Sequence, residues 1–121
     1  MNYLESLEDY LERILMLQEK NGAVRSIDIA NDMGFSKPSV SIAMKKLKEK
    51  GYIEVDDKGH ISLTESGYII AKETYDKHLM LIKLLEHIGV SKEIAEEDAC
   101  KIEHNLSKET VECLKKVADK I

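Results

Sequence analysis

A mainly helical chain that opens as a winged helix-turn-helix and continues as a purely helical second half is the fold that three observations predict. Apolar residues recur at helical spacing through most of the 121 residues, the spacing turns to alternation once, between Tyr52 and Thr64, and capping residues stand where helices would begin and end. At this length, and with 43% of residues hydrophobic, the chain can form one globular unit or two small lobes sharing a core.

The elements follow in order. Leu4, Leu7, Leu11, Ile14, Leu15 and Leu17 form the apolar stripe of a first helix, which Asn21 and Gly22 end. In "SIDIANDMG", Ser26 is the expected N-cap and Gly34 the terminator of a short second helix whose apolar side is Ile27, Ile29 and Ala30. Ser36 caps a third helix with Pro38 in its first turn, and Val40, Ile42, Ala43, Met44 and Leu47 are its expected buried side before Gly51. Two short helices joined by "GFS" make a helix-turn-helix, whose second helix enters a DNA major groove. Alternation in "YIEV" and "HISLT" around the turn "DDKG" predicts a hairpin wing. Thr64 then caps a long helix to about Ile88, closed by Gly89, and Ser91 and Ser107 cap two more, the first carrying "SKEIAEEDACKIEHNLS". This order divides the chain near Tyr75, into a winged helix-turn-helix over 1–75 and a helical domain over 76–121. No repeat, low-complexity segment or flexible linker interrupts it.

Charge is segregated. The totals, 18 basic against 23 acidic residues, argue against binding nucleic acid by bulk charge. Yet Lys37, Lys45, Lys46, Lys48 and Lys50 crowd one short segment against Glu49, while Glu5, Glu8, Asp9 and Glu12 fill the first twelve residues with no base among them. A DNA-reading third helix assigns Ser39, Ser41 and Ala43 to base edges or thymine methyls, and Ser36, Lys37, Lys45 and Lys46 to phosphates. The plainer reading of the same lysines is a solvated helix face, with Lys48 and Lys50 favouring the helix dipole. No apolar run is long enough to cross a bilayer and the first residues do not form a leader peptide, so a cytoplasmic location with no membrane partner and free thiols at Cys100 and Cys113 is expected.

In "DACKIEHNLS", Cys100, Glu103 and His104 share one side of a helix, which is either a set of metal donors or an ordinary turn carrying a small buried Cys beside an exposed Glu and His. Asp9 and Glu12 share a side of the first helix and are likewise either donors or carboxylates favouring the helix start. His78 falls in a region rich in Leu and Ile, where a bare imidazole would be costly. Neither an H-E-x-x-H motif, a Gly-rich phosphate loop nor paired Glu-x-x-His motifs are present, which argues against an enzyme, including a small helical metalloenzyme, and against a small-molecule substrate. A winged-helix regulator gated by oxidation of Cys100, or by an organic ligand, stays open beside a metal-gated one.

Over essentially its whole length the chain resembles the iron- and manganese-dependent repressors, the diphtheria toxin repressor and manganese transport regulator family. The resemblance is carried by "LEDYLERILML", "SIDIANDMGFSKPSVSIAMKKLKEKGYI", "LTESG" and, most specifically, "DACKIEHNLS". It implies a winged helix-turn-helix followed by a metal-binding and dimerisation domain, and a transcriptional repressor of metal-uptake genes with a metal ion as corepressor. It makes Asp9, Glu12, His78, Glu103 and His104 candidate ligands, as in manganese-responsive members. Cys100 departs from that branch, which places a carboxylate there, and follows the iron branch, which tends to place methionine where this chain has Asp9. Ile82 and Glu96 stand where the iron branch places a carboxylate and a histidine of its ancillary site.

The donor set biases the metal. Asp9, Glu12 and Glu103 are hard donors suited to Mn²⁺ and Fe²⁺, and a Cys100 thiolate tilts the choice toward Fe²⁺, with Co²⁺, Ni²⁺ or Zn²⁺ as in-vitro substitutes. The expected partners are a palindromic operator and a second copy of the chain, in a two-domain homodimer without the C-terminal β domain of some relatives. Leu81, Leu84, Leu85, Ile88, Val90, Leu106, Val111 and Leu114 exceed what a short helical lobe can bury within itself and are assigned to dimerisation. Metal joining the first helix to the back half would select the DNA-competent spacing of the two recognition helices.

Overall fold

The computed structural model describes residues 3–121, with side chains from Leu7 onward; Leu4 and Glu5, counted above in the stripe and the acidic cluster, lie outside those side chains. The described residues form two compact units that meet between Lys72 and Glu73.

In the first unit, α1 (Tyr3–Asn21) buries Leu11, Ile14, Leu15 and Leu17 on one side. Helix α2 (Ser26–Met33) begins one residue earlier than expected: Arg25, not Ser26, is the N-cap, and the Asp28 carboxylate accepts from the Arg25 backbone N–H at 2.9 Å. A carboxylate at the third helical position can reach back to the cap, whereas Ser26 is already helical. Gly34 ends the helix with φ 71°, a left-handed conformation favoured by glycine. Helix α3 (Lys37–Glu49) starts as expected, with Ser36 Oγ accepting from the Ser39 N–H and Pro38 in the first turn.

The wing is a two-stranded antiparallel sheet, β1 (Ile53–Val55) and β2 (Ile61–Leu63), in register Ile53 with Leu63 and Val55 with Ile61. At its turn the Asp56 carboxylate accepts from the N–H groups of Lys58 at 2.9 Å and His60 at 2.8 Å. These bonds, that from His60 foremost, hold the Asp56 carboxyl below its ordinary range. The Ile61 N–H donates to the Val24 carbonyl and the Gln18 amide to the Ile61 carbonyl, which ties the wing to the end of α1. Val24, Ile29, Val40, Met44, Leu47, Ile53 and Ile61 complete a continuous apolar core.

Helix α4 (Glu65–His87) starts at the expected cap, with Thr64 Oγ1 accepting from the Gly67 N–H and donating to the Gly51 carbonyl at 2.6 Å. A Cβ at Gly67 would overlap the Tyr52 carbonyl, so only glycine lets α4 start this close to the segment between α3 and β1.

In the second unit, the remainder of α4 is followed by α5 (Lys92–Ile102) and α6 (Lys108–Ala118). Helix α5 is shorter than expected: Glu103 is its C-cap and His104 lies in the following turn. The buried residues of this unit are small or polar, namely Thr74, Ala95, Ala99, Glu103 and Ala118, with Leu81 the single large apolar side chain among them. Leu81 is thus already covered, whereas Ile88, assigned with it to dimerisation, is 74% exposed. A groove of about 810 Å³ runs beside α4 and α6, with Leu79, Met80, Leu106 and Val111 in its lining.

Candidate metal centre and nucleic-acid reader

The back-half candidates converge through the end of α5. Ala95 and Ala99 are the buried residues of that helix, and one turn beyond Ala99 the chain places Glu103, whose side chain is 0% exposed. His78, from the middle of α4, brings Nδ1 to 2.9 Å from Glu103 Oε2. His104 brings Nε2 to 3.3 Å from Glu103 Oε1. Each carboxylate oxygen therefore faces an imidazole nitrogen. Oε1 is nonetheless buried without a hydrogen-bond partner, while the bond to Oε2 answers the expected cost of an imidazole among Leu and Ile at His78. Cys100, half-buried and in no disulfide, lies on α5 three residues before Glu103. A carboxylate, two imidazoles and a thiol are donors that fit a divalent transition metal.

Asp9 and Glu12 lie on α1 in the first unit, Asp9 half-buried and Glu12 buried. The residues beside them anchor α1 to the helix-turn-helix. Arg13 Nη1 pairs with Asp32 Oδ2 of α2 at 2.8 Å, and the Tyr10 ring meets Phe35 of the α2–α3 turn edge-on at a centroid distance of 6.1 Å. Burial, and next the charge of Asp9, push the Tyr10 hydroxyl above its ordinary pKa, so it remains a neutral phenol at physiological pH.

On α3 the expected contact residues divide by exposure. Ser36, Lys37, Ser39, Ser41, Lys45 and Lys46 are exposed, and the Ser36 hydroxyl donates to the Ser39 hydroxyl at 2.8 Å. Ala43 is half-buried beside the packed stripe of Val40, Met44 and Leu47. Ile42, expected in that stripe, is instead 57% exposed. The helical wheel already carries the signal: at 100° per residue Ile42 stands about 200° from Val40, on the far side of the helix. Its apolar character had outweighed its phase.

Two family models match nearly the whole chain: the iron dependent repressor N-terminal DNA binding domain matches 2–61, and the iron dependent repressor metal binding and dimerisation domain matches 64–121. An uncharacterized HTH-type transcriptional regulator of Methanocaldococcus jannaschii is 39% identical over 113 residues, 92% of this chain and 90% of that protein. The HTH-type transcriptional regulator MntR of Bacillus subtilis is 35% identical over 102 residues, 84% of this chain and 72% of that protein. Among solved structures, that of T. acidophilum IdeR matches with a TM-score of 0.80 and 30% identity over 88% of this chain and 51% of its own. That of the manganese regulator SloR also matches at 0.80, with 32% identity over 93% of this chain and 53% of its own. The chain spans about half the length of these two solved relatives. A lysine-bearing reader in one unit and a buried Glu-His-His cluster in the other agree with both matched domains: the chain belongs to the iron dependent repressor family, metal-dependent transcriptional regulators.

Proposed function

We propose that this protein represses metal-uptake genes as a homodimer on a palindromic operator, with Mn²⁺ or Fe²⁺ as corepressor held by Asp9, Glu12, His78, Cys100, Glu103 and His104. The observation that carries the reading is the buried Glu103 carboxylate flanked by His78 and His104, a donor cluster in the half of the chain that matches a metal-binding domain. Relatives named as manganese regulators support Mn²⁺. Cys100, a soft donor, tilts the set toward Fe²⁺ relative to one made only of oxygen and nitrogen. In this reading the chain carries out no reaction: its residues bind and position.

The cation supplies positive charge that lets several carboxylates share a site they would otherwise crowd unfavourably. The chain supplies the rest. Asp9 and Glu12 each stand one residue before a side chain that grips the reader, Tyr10 on Phe35 and Arg13 on Asp32, so the placement of α1 bears directly on the turn that precedes α3. In α3, Lys37, Lys45 and Lys46 meet phosphates while Ser39, Ser41 and Ala43 approach base edges.

The test is anaerobic binding of the purified chain to its own upstream DNA with Mn²⁺, Fe²⁺, Zn²⁺ or chelator, repeated with Cys100→Ala and Glu103→Ala. Binding that requires metal and disappears in Glu103→Ala is the expected result, with Cys100→Ala shifting the order of metals. Equal binding under chelation would end the corepressor reading.

A further inference from the structure

Ile42 occupies the centre of the exposed side of α3, opposite the stripe of Val40, Met44 and Leu47, and is itself 57% exposed. Its neighbours on the helical surface, three and four residues away, are Ser39, Lys45, Lys46 and Pro38, all exposed. A single exposed apolar side chain is common on protein surfaces; what sets Ile42 apart is its place at the centre of a helix face flanked by lysines. The surrounding lysines select a polyanion, and the matched DNA-binding domain names which one.

The remaining chemistry of α3 narrows the contact. The helix, KPSVSIAMKKLKE, contains no Arg, Asn or Gln; of the side chains that read guanine or adenine by paired hydrogen bonds it carries only Lys, and Lys37, Lys45 and Lys46 are assigned to phosphates. On the major-groove edges of the base pairs the one apolar group is the C5-methyl of thymine. We propose that Ile42 is the central base-reading residue of this helix and that it reads a thymine methyl, so that each operator half-site carries a thymine opposite it. This rests on α3 being the recognition helix. It adds Ile42 to the base-edge contacts at their centre, with Ser39 and Ser41 flanking it and the half-buried Ala43 at the margin.

The experiment begins with duplexes selected from a randomised pool by the wild-type protein loaded with Mn²⁺. Each thymine of the selected half-site is then replaced by deoxyuridine, which removes only the methyl, and affinity is measured by fluorescence anisotropy. One replacement is expected to weaken wild-type binding by about fourfold per half-site, the effect of burying a single methyl. Ile42→Ala, a surface change that leaves the fold intact, is expected to abolish that difference, and Ile42→Gln to favour a different base at the same position. A replacement effect undiminished in Ile42→Ala, or no thymine whose methyl matters, overturns the proposal. Lys45→Ala separates the two levels of the reading: a salt dependence flatter by about one unit of slope keeps α3 on the DNA even if Ile42 proves indifferent. If neither Lys45→Ala nor the Ile42 variants change binding, the recognition-helix assignment itself falls, and the proposal with it.

Discussion

The two units of this chain bury opposite kinds of residue. In the first, Leu11, Ile14, Val24, Ile29, Val40 and Ile53 are almost wholly enclosed, and the wing is hydrogen-bonded to the end of α1. In the second, alanines, a threonine and a carboxylate occupy the interior, while Leu79, Ile88, Ile94, Ile102 and Val117 remain exposed. Burial of large apolar side chains is the main favourable term in folding. The first unit therefore holds the larger apolar core, while the second leaves several large apolar side chains uncovered, as expected of the matched dimerisation domain.

Several substitutions can break that contrast or sharpen it. The largest effect is expected in the sensor half from Glu103→Ala, which strands His78 and His104 without their shared partner. Metal affinity, measured by competition with a fluorescent chelator, is expected to fall roughly 100-fold or more, while the far-ultraviolet signature of the reader persists. Next come paired leucine truncations. Leu47→Ala, in the packed core of the reader, is expected to cost about 2–5 kcal/mol in chemical denaturation. Leu79→Ala, on an exposed face of α4, is expected to leave the unfolding of the single chain within about 0.5 kcal/mol and instead to weaken self-association by roughly tenfold in sedimentation. If both leucines cost the same in unfolding, the contrast between the units is wrong.

Gly67→Ala tests the joint between the reader and α4. The added methyl meets the Tyr52 carbonyl, and an overpacked contact of this kind is expected to destabilise by about 1–3 kcal/mol in thermal or chemical melts. The smallest effect belongs to the wing. Asp56 has its pKa lowered by the His60 and Lys58 N–H groups, so its contribution is complete above the unfolded carboxylate range and is lost as pH falls through the lower folded value. Asp56→Ala should abolish that acid-side change and speed amide exchange at Lys58 and His60 with little effect on the global melt.

Much of the architecture is legible in local chemistry. Ser36, Thr64 and Ser107 cap where a hydroxyl before an amphipathic run should, and the wing register follows from alternation about a five-residue turn. Local rules failed where the decisive partner was elsewhere or where two rules competed. Asp28 displaced Ser26 by one position because a carboxylate three residues into the chain's turn holds the preceding N–H better. Gly67 sits in an ordinary helical stretch, and nothing nearby announces that the Tyr52 carbonyl occupies its Cβ space. Ile42 was misplaced by hydrophobicity against phase. For the proposed metal donors, spacing put Cys100, Glu103 and His104 on one side of a helix, but did not show that α5 stops at Ile102, with Glu103 at its cap and His104 in the turn beside it.

The bond between His78 Nδ1 and Glu103 Oε2, 2.9 Å long, holds a proton between two atoms that a metal would claim. Oε2 of this carboxylate is thus engaged, while Oε1, 3.3 Å from His104 Nε2, is buried without a hydrogen-bond partner. In our proposal the ion would replace that bond rather than add to it, so the middle of α4 and the end of α5 would be joined through the same two side chains with or without the ion.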